Sequence, residues 1–260
     1  IAPLEAIYRW RVAAHQIVED SPAVILASGQ RAVWLAAGLA RRFGLPLAAV
    51  GHGSEFASGR AWERDLNRWA FRQARAVVSV SHYTWRRMLE AGIQPANSPV
   101  IYNGADDEQF VELPAPKVQA FREAHGLADG PLLLSVGNVT GRKGHDIVIR
   151  ALPAILERFP DTRYLIAGLP TEAADLGELA RRCGVERHVR FLGRVDGETL
   201  VRCLNACDML VMTSRCTAGG DVEGYGIAVI EAAQCGKPAV VTGSSGLVEA
   251  VDEGVTGLIA

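Results

Sequence analysis

Residues 132–158 read LLLSVGNVTGRKGHDIVIRALPAILER. An apolar run closes on Gly137, a polar turn follows, and from His145 to Arg158 the apolar positions recur at helical spacing. A strand so short and so apolar is one buried on both faces, as in a parallel sheet sandwiched by helices. The same unit repeats outward in both directions. Downstream, strands are expected at 164–167, 189–192, 209–212 and 239–241, alternating with helices at 175–183, 198–206 and 226–234. Upstream, strands are expected at 23–27 (AVILA), 46–50, 76–80 and 100–102, with helices at 4–18, 31–43, 60–73 and 83–91. Repeated βα units dictate an α/β fold with parallel sheets. Residues 106–117 (DDEQFVELPAPK) break the rhythm with acids and two prolines and read as a linker. The expectation is therefore two Rossmann-like domains, 1–105 and 118–260, facing across a cleft, because open α/β sheets take ligands beyond the carboxyl ends of their strands. The first domain lacks an opening strand with a glycine-rich turn, and TGLIA at 256–260 stops on a strand-like run, so the chain reads as truncated at both ends.

Composition narrows the function. The 260 residues are 49% hydrophobic and 22% charged, which supports a sizeable core and excludes disorder, collagen and coiled coil. Twenty-seven basic against 29 acidic residues, net −2, gives no reason to expect a nucleic-acid partner. Charge splits at the linker: residues 1–105 hold 12 basic and 7 acidic residues (+5), and residues 106–260 hold 15 and 22 (−7). No apolar run approaches the roughly 18 residues of a membrane span, and no leader precedes Ile1, which suggests a cytoplasmic chain. The five cysteines are an odd, irregular set that fits a reducing compartment. Cys203 and Cys207 stand four apart on an expected helix, but no second pair completes a zinc set, so they read as core residues and no metal is expected.

Chemistry concentrates in three places. Residues 219–236, GGDVEGYGIAVIEAAQCG, pass from a glycine-rich loop into a helix, where unpaired N–H groups of Gly224, Tyr225, Gly226 and Ile227 form an anion seat. Glu223 and Glu231 bracket that helix start. Eight helical residues between them would span about 12 Å, enough to hold both ends of a long ligand by its hydroxyls. The bland alternative makes Glu223 a dipole-compensating charge and Glu231 a solvated one, although Glu231 interrupts an apolar run from Ile227 to Ala233. Second, Arg142 and Lys143 follow the strand ending at Gly137 and could neutralise a diphosphate; otherwise they are an ordinary basic turn, and no Walker spacing is present. Third, His52 follows a buried strand between two glycines in VGHGSEF, placed to polarise a substrate oxygen or merely bonded locally. Between Arg60 and Arg75, arginines recur every four residues (Arg60, Arg64, Arg68, Arg72) while Trp62, Leu66 and Trp69 line another face. This helix either lies on anionic lipid as a peripheral membrane contact or buries its tryptophans in the domain.

Taken in order, HGSEF, VVSVSHYTWRRMLEAG, VIYNGADDEQF, SVGNVTGRKGHDIVIRAL, RYLIAG, VRFLGRVDGETL, DVEGYGIAVIEAAQCGKPAVVT and GLVEAVDEGVTGL resemble the retaining, nucleotide-sugar-dependent glycosyltransferases of family 4, with the GT-B fold. Within that family the chain is most similar to mannosyltransferases of the phosphatidylinositol mannoside type, through DVEGYGIAVIEA and HGSEF. The resemblance implies that Glu223 meets the donor sugar, Glu231 the ribose, and the amides of Gly224 to Ile227 the diphosphate and sugar. Lys143 matches a diphosphate-binding lysine and His52 a histidine beside the sugar and acceptor, while Arg194 and Val195 fall in the loop lining the base. Asn138 stands where the family commonly has a second phosphate-binding arginine, a loss that Arg142 would have to cover.

The expected reaction is transfer of a hexosyl group from a GDP- or UDP-sugar to an acceptor hydroxyl with retention, in glycolipid or polysaccharide biosynthesis. It would need no metal and no cofactor beyond the co-substrate, and the acceptor would be lipid-linked. The rival readings are a nucleotide-sugar epimerase on the same fold and an inactive subunit that binds a sugar nucleotide; Asn138 keeps the second open.

Overall fold

A computed structural model describes residues 3–57, 60–127 and 130–260. They form two units: Ile1–Tyr102 with Gly219–Gly224, and Asn103–Ala218 with Tyr225–Ala260. This division differs from the expected 1–105 and 118–260 chiefly in carrying residues 219–224 over to the first unit.

In the first unit, α1 (Pro3–Asp20) is followed by β1 (Ile25–Ser28), α2 (Gln30–Phe43), β2 (Leu47–Gly51), α3 (Ser54–Ala57), α4 (Ala61–Arg72), β3 (Ala76–Ser79) and α5 (His82–Glu90). The strands pair in parallel in the order β1-β2-β3. Val33, Ala37, Leu47, Phe71, Val77 and Met88 are buried in the core. The strand expected at 100–102 is only a bridge from Val100 to Ser79, because Pro99 has no N–H with which to extend a ladder. The reading that buries the tryptophans of the arginine helix in the domain does not hold as stated. Helix α4 buries Asn67, Ala70 and Phe71, which leaves Trp62 52% and Trp69 37% exposed. Arg68 Nε donates to the Ala91 carbonyl (3.1 Å) and Arg72 Nη2 to that of Gly92 (2.8 Å), so two of its arginines close the end of α5.

The second unit contains α6 (Ala115–Ala124), β4 (Leu132–Val136), α7 (His145–Arg158), β5 (Arg163–Ala167), α8 (Ala173–Arg182), β6 (Val189–Gly193), α9 (Gly197–Ala206), β7 (Met209–Met212), α10 (Ile227–Gln234), β8 (Ala239–Val241) and β9 (Gly257–Ile259). All six strands are parallel, in the order β6-β5-β4-β7-β8-β9. Leu134, Ile149, Leu152, Tyr164, Ile166 and Leu204 are fully buried on its two faces. The segment 106–117 is not a free linker. Its last residues open α6 after Pro114, and Asn205 of α9 grips it, accepting from Leu113 N (2.7 Å) and donating to the Val111 carbonyl (3.0 Å). A proline at a helix start loses no hydrogen bond, which is why α6 forms within a proline-rich stretch.

Candidate functional site

In the second unit the chain leaves β4 towards β5 and β6, then returns to the other side of β4 as β7. Such a reversal opens a crevice at the carboxyl ends of the two strands. Three glycines shape it. Gly137, just past β4, has φ 130°, and a Cβ there would stand 2.7 Å from Lys143 Cε and 3.0 Å from Nζ. The lysine side chain therefore lies across the end of β4. Gly144 has φ 68°, and its missing Cβ leaves room for the Thr213 carbonyl beyond β7; Gly168 likewise admits the Gly137 carbonyl. Gly141–Lys143 form a 3₁₀ turn held by Arg215, whose Nε donates to the Gly141 carbonyl (2.8 Å) and whose guanidinium pairs with Asp146. Arg142 is half-buried on the same turn, and Asn138 is exposed beside it.

Beneath the turn runs a buried polar chain that the sequence did not reveal. His145 Nδ1 lies 3.1 Å from Tyr164 Oη, which lies 2.8 Å from Ser135 Oγ, and that hydroxyl donates to the Val211 carbonyl. The chain ties the first residue of α7 to β5, β4 and β7. Replacing Tyr164 with Phe takes away the hydroxyl that buried His145 Nδ1 and Ser135 Oγ share, although Ser135 keeps its bond to Val211, and is expected to cost about 1–3 kcal/mol in urea unfolding. Burial, and then the positive charge of Lys143, lower the His145 pKa from 6.5 to about 4. The unfolded chain therefore binds a proton that the folded chain refuses, so stability falls as pH drops from about 6.5 towards 4. The loss reaches roughly 3 kcal/mol. Urea unfolding at pH 7 and pH 4.5 should show this difference, and His145→Gln should flatten it.

Helix α10 begins at Ile227 on a left-handed Gly226 (φ 93°), where a Cβ would meet Leu247 Cδ2 at 2.3 Å. Its first amides are the orphan donors of any helix start. Glu231, one turn in, is half-buried, and desolvation raises its pKa. Glu223 is not on the helix at all: it lies in the preceding loop, so eight helical residues do not separate the two glutamates. Tyr225 is buried and Ile227 is 42% exposed. Arg194 and Val195 follow β6, two strands from β4, with Arg194 exposed and Asp196 capping α9 through Thr199 N (2.8 Å). Thus Asn138, Arg142, Lys143, Arg194, Val195, Tyr225, Gly226, Ile227 and Glu231 all belong to the second unit.

His52, Glu223 and Gly224 belong to the first. His52 follows β2, with Nε2 2.8 Å from Ser28 Oγ at the end of β1, and its backbone N–H donates to Glu55 Oε1 (2.8 Å). Gly224 packs so closely that a Cβ would stand 1.8 Å from the His52 carbonyl oxygen, and its own carbonyl accepts from Ser81 Oγ (2.6 Å). This contact explains why residues 219–224 join the first unit, and it brings His52 and Gly224 together. Glu55 was missed; only its position three residues beyond His52, on a one-turn helix, marks it, yet it is 5% exposed. Among the described residues no three His, Cys, Asp or Glu side chains are grouped to hold a metal, and no helix is long and apolar enough to cross a membrane.

Residues 117–260 match the family described as Glycosyl transferases group 1, and residues 2–109 match Glycosyltransferase Family 4. The GDP-mannose-dependent alpha-(1-6)-phosphatidylinositol monomannoside mannosyltransferase of Mycolicibacterium smegmatis is 36% identical over 188 residues, 72% of this chain and 49% of that protein. The D-inositol 3-phosphate glycosyltransferase of Actinosynnema mirum is 35% identical over 175 residues, 64% and 40% of the two chains. This chain thus spans about half the length of the mannosyltransferase it matches. Among solved structures, Anabaena HepE in complex with UDP-glucose aligns with TM-score 0.85 at 24% identity, over 96% of this chain and 67% of that one. Sucrose-phosphate synthase from Thermosynechococcus elongatus gives 0.83 at 20%, over 96% and 63%. At that identity the likeness is one of fold, and the fold is GT-B.

Proposed function

Because the chain belongs to the family 4 glycosyltransferases, we propose that it moves a hexosyl group, mannosyl from GDP-mannose in the first instance, to a hydroxyl of a lipid-linked acceptor with retention. The observation that carries this reading is Lys143 folded over Gly137 at the reversal point of the second sheet. A cation fixed there meets a diphosphate without rearranging, and it is most useful as the glycosidic bond breaks and charge accumulates on the leaving phosphates. The amides of Tyr225 to Ile227 supply further donors, Arg142 offers the second cation that Asn138 does not, and Glu231 accepts from ribose hydroxyls. Arg194 and Val195 line the base. Glu223 holds the donor sugar and His52 the sugar and acceptor hydroxyl. The acceptor attacks from the side the diphosphate leaves, and a phosphate oxygen takes its proton, so no metal ion is required. The mannosyl and lipid assignments draw on the mannosyltransferase relatives, and peripheral attachment at the inner face of a membrane follows from a lipid acceptor.

The test is donor binding by calorimetry with GDP-mannose and UDP-glucose, followed by transfer to phosphatidylinositol monomannoside. GDP-mannose is expected to bind more tightly and to turn over only when acceptor is present. Isomerised sugar from donor alone would favour an epimerase, and binding without transfer would favour an inactive subunit. Glu231→Ala is expected to weaken donor binding about 10- to 100-fold, the loss of a charged hydrogen-bond acceptor.

A further inference from the structure

The first unit carries a groove that the transfer reaction leaves unused. It lies between α1, α2 and α4, encloses about 640 Å³, and is walled by Trp10, Trp34, Trp62 and Leu66, with Ala32 on its lining. That volume falls within the roughly 300–1,000 Å³ of small-molecule sites. The walls are fixed before any ligand arrives. Trp34 Nε1 donates to Asn67 Oδ1 (2.6 Å), buried Asn67 in turn donates to the Glu55 carbonyl (2.7 Å), and Trp34 and Trp62 meet with ring centroids 6.0 Å apart. Trp10 is seated against Gly38, where a Cβ would come within 2.7 Å of its ring.

The rim has the opposite chemistry. Arg31 and Arg9 both line the groove, Arg9 being steadied by Glu5 at 2.7 Å, and the one lining carboxylate, Glu63, is engaged by the Arg60 backbone N–H (3.0 Å) at the start of α4. Arg31 stands in the first turn of α2, a turn with no acidic residue and no side-chain cap. A cation there opposes the helix dipole, and an incoming anion would relieve it. Groove and His52 belong to the same unit, and Gln30 and Arg31 on the lining follow within three residues of Ser28, whose hydroxyl lies 2.8 Å from His52 Nε2.

We propose that this groove holds a single acyl chain of a lipid bearing an anionic head group, the chain against the tryptophans and the head beside Arg31. The assignment rests on the lipid-acceptor reading above and adds to it the place where the hydrocarbon goes. Walls of three tryptophans with Leu35 and Leu66 suit an alkyl chain, and the polar lining side chains, Arg9, Gln30, Arg31 and Glu63, suit its head group.

The test uses the full chain and 9,10-dibromostearate as monomer in detergent-free buffer, since bromine quenches tryptophan emission only in contact. Saturable quenching is expected, with affinity at least tenfold weaker in Ala32→Phe, which fills the groove from an exposed helix position, and in Arg31→Glu; circular dichroism should be unchanged in both. The uncharged methyl ester should bind at least fivefold more weakly than the acid. Absence of saturable quenching, equal binding by Ala32→Phe, or quenching only by brominated lipid within vesicles would overturn the proposal, the last in favour of surface adsorption. In transfer assays Ala32→Phe should raise KM for a long-chain acceptor at least fivefold with kcat unchanged, and should leave a chainless head-group analogue unaffected. Chain binding with no transfer to any lipid acceptor would overturn the functional reading while leaving the groove assignment standing.

Discussion

Lys143→Ala is expected to lower kcat about 10²- to 10³-fold, the usual loss when one preorganised donor to a transition-state charge is removed. The fold should survive, because the side chain lies across the carboxyl end of β4 and not in the core, and residue 143 is only half-buried. Ground-state donor affinity should fall less than kcat, since the ammonium matters most when the diphosphate carries its full leaving-group charge. The variant should also raise the His145 pKa, because the Lys143 charge is the second cause of its depression after burial. Steady-state transfer kinetics and histidine titration by NMR read the two effects on one protein. Unchanged kcat together with an unchanged His145 titration would place the lysine away from the crevice.

Gly144→Val is expected to have the largest effect on stability. The residue is left-handed at φ 68°, and a Cβ would stand 2.0 Å from the Thr213 carbonyl oxygen, a backbone atom with nowhere to swing. Backbone strain and the displaced β7 exit together cost about 3 kcal/mol or more, roughly 6–12 °C in Tm at this size. Gly184 supplies the control. It is also left-handed, at φ 70°, but has no atom within 4 Å of a built Cβ, so Gly184→Ala should cost only the conformational strain of about 1 kcal/mol. Thermal unfolding of the two variants side by side separates close approach from backbone handedness.

Strand positions in the second unit were legible because they are short apolar runs: β4 is ended by Gly137, β7 is preceded by Asp208 and β8 by Pro238, and all three begin and end where those runs do. Helix α6 was not legible: its prolines read as a linker although one of them sits where a helix start tolerates it. The tryptophans of α4 misled because spacing shows which residues share a face but not which face the core takes; Asn67, Ala70 and Phe71 took it, with Asn67 satisfied by Trp34 and Glu55. The loop at 219–224 was unreadable for a different reason. Its place in the first unit depends on a contact between Gly224 and residues more than 140 positions away, and no local pattern encodes that. The same holds for the Ser135, Tyr164 and His145 chain, whose members lie on three separate elements. Motif order singled out the candidate site residues, while the geometry of Lys143 over Gly137 came only from the structure.

Hydrogen exchange on the full chain with and without GDP-mannose tests most directly whether a sugar nucleotide sits at the reversal point of the second sheet. Protection is expected in peptides spanning Gly137 to Gly144 and Tyr225 to Val229, at the β4 exit and the start of α10. Protection confined to other peptides, with both of those exchanging as in the free protein, would contradict the account.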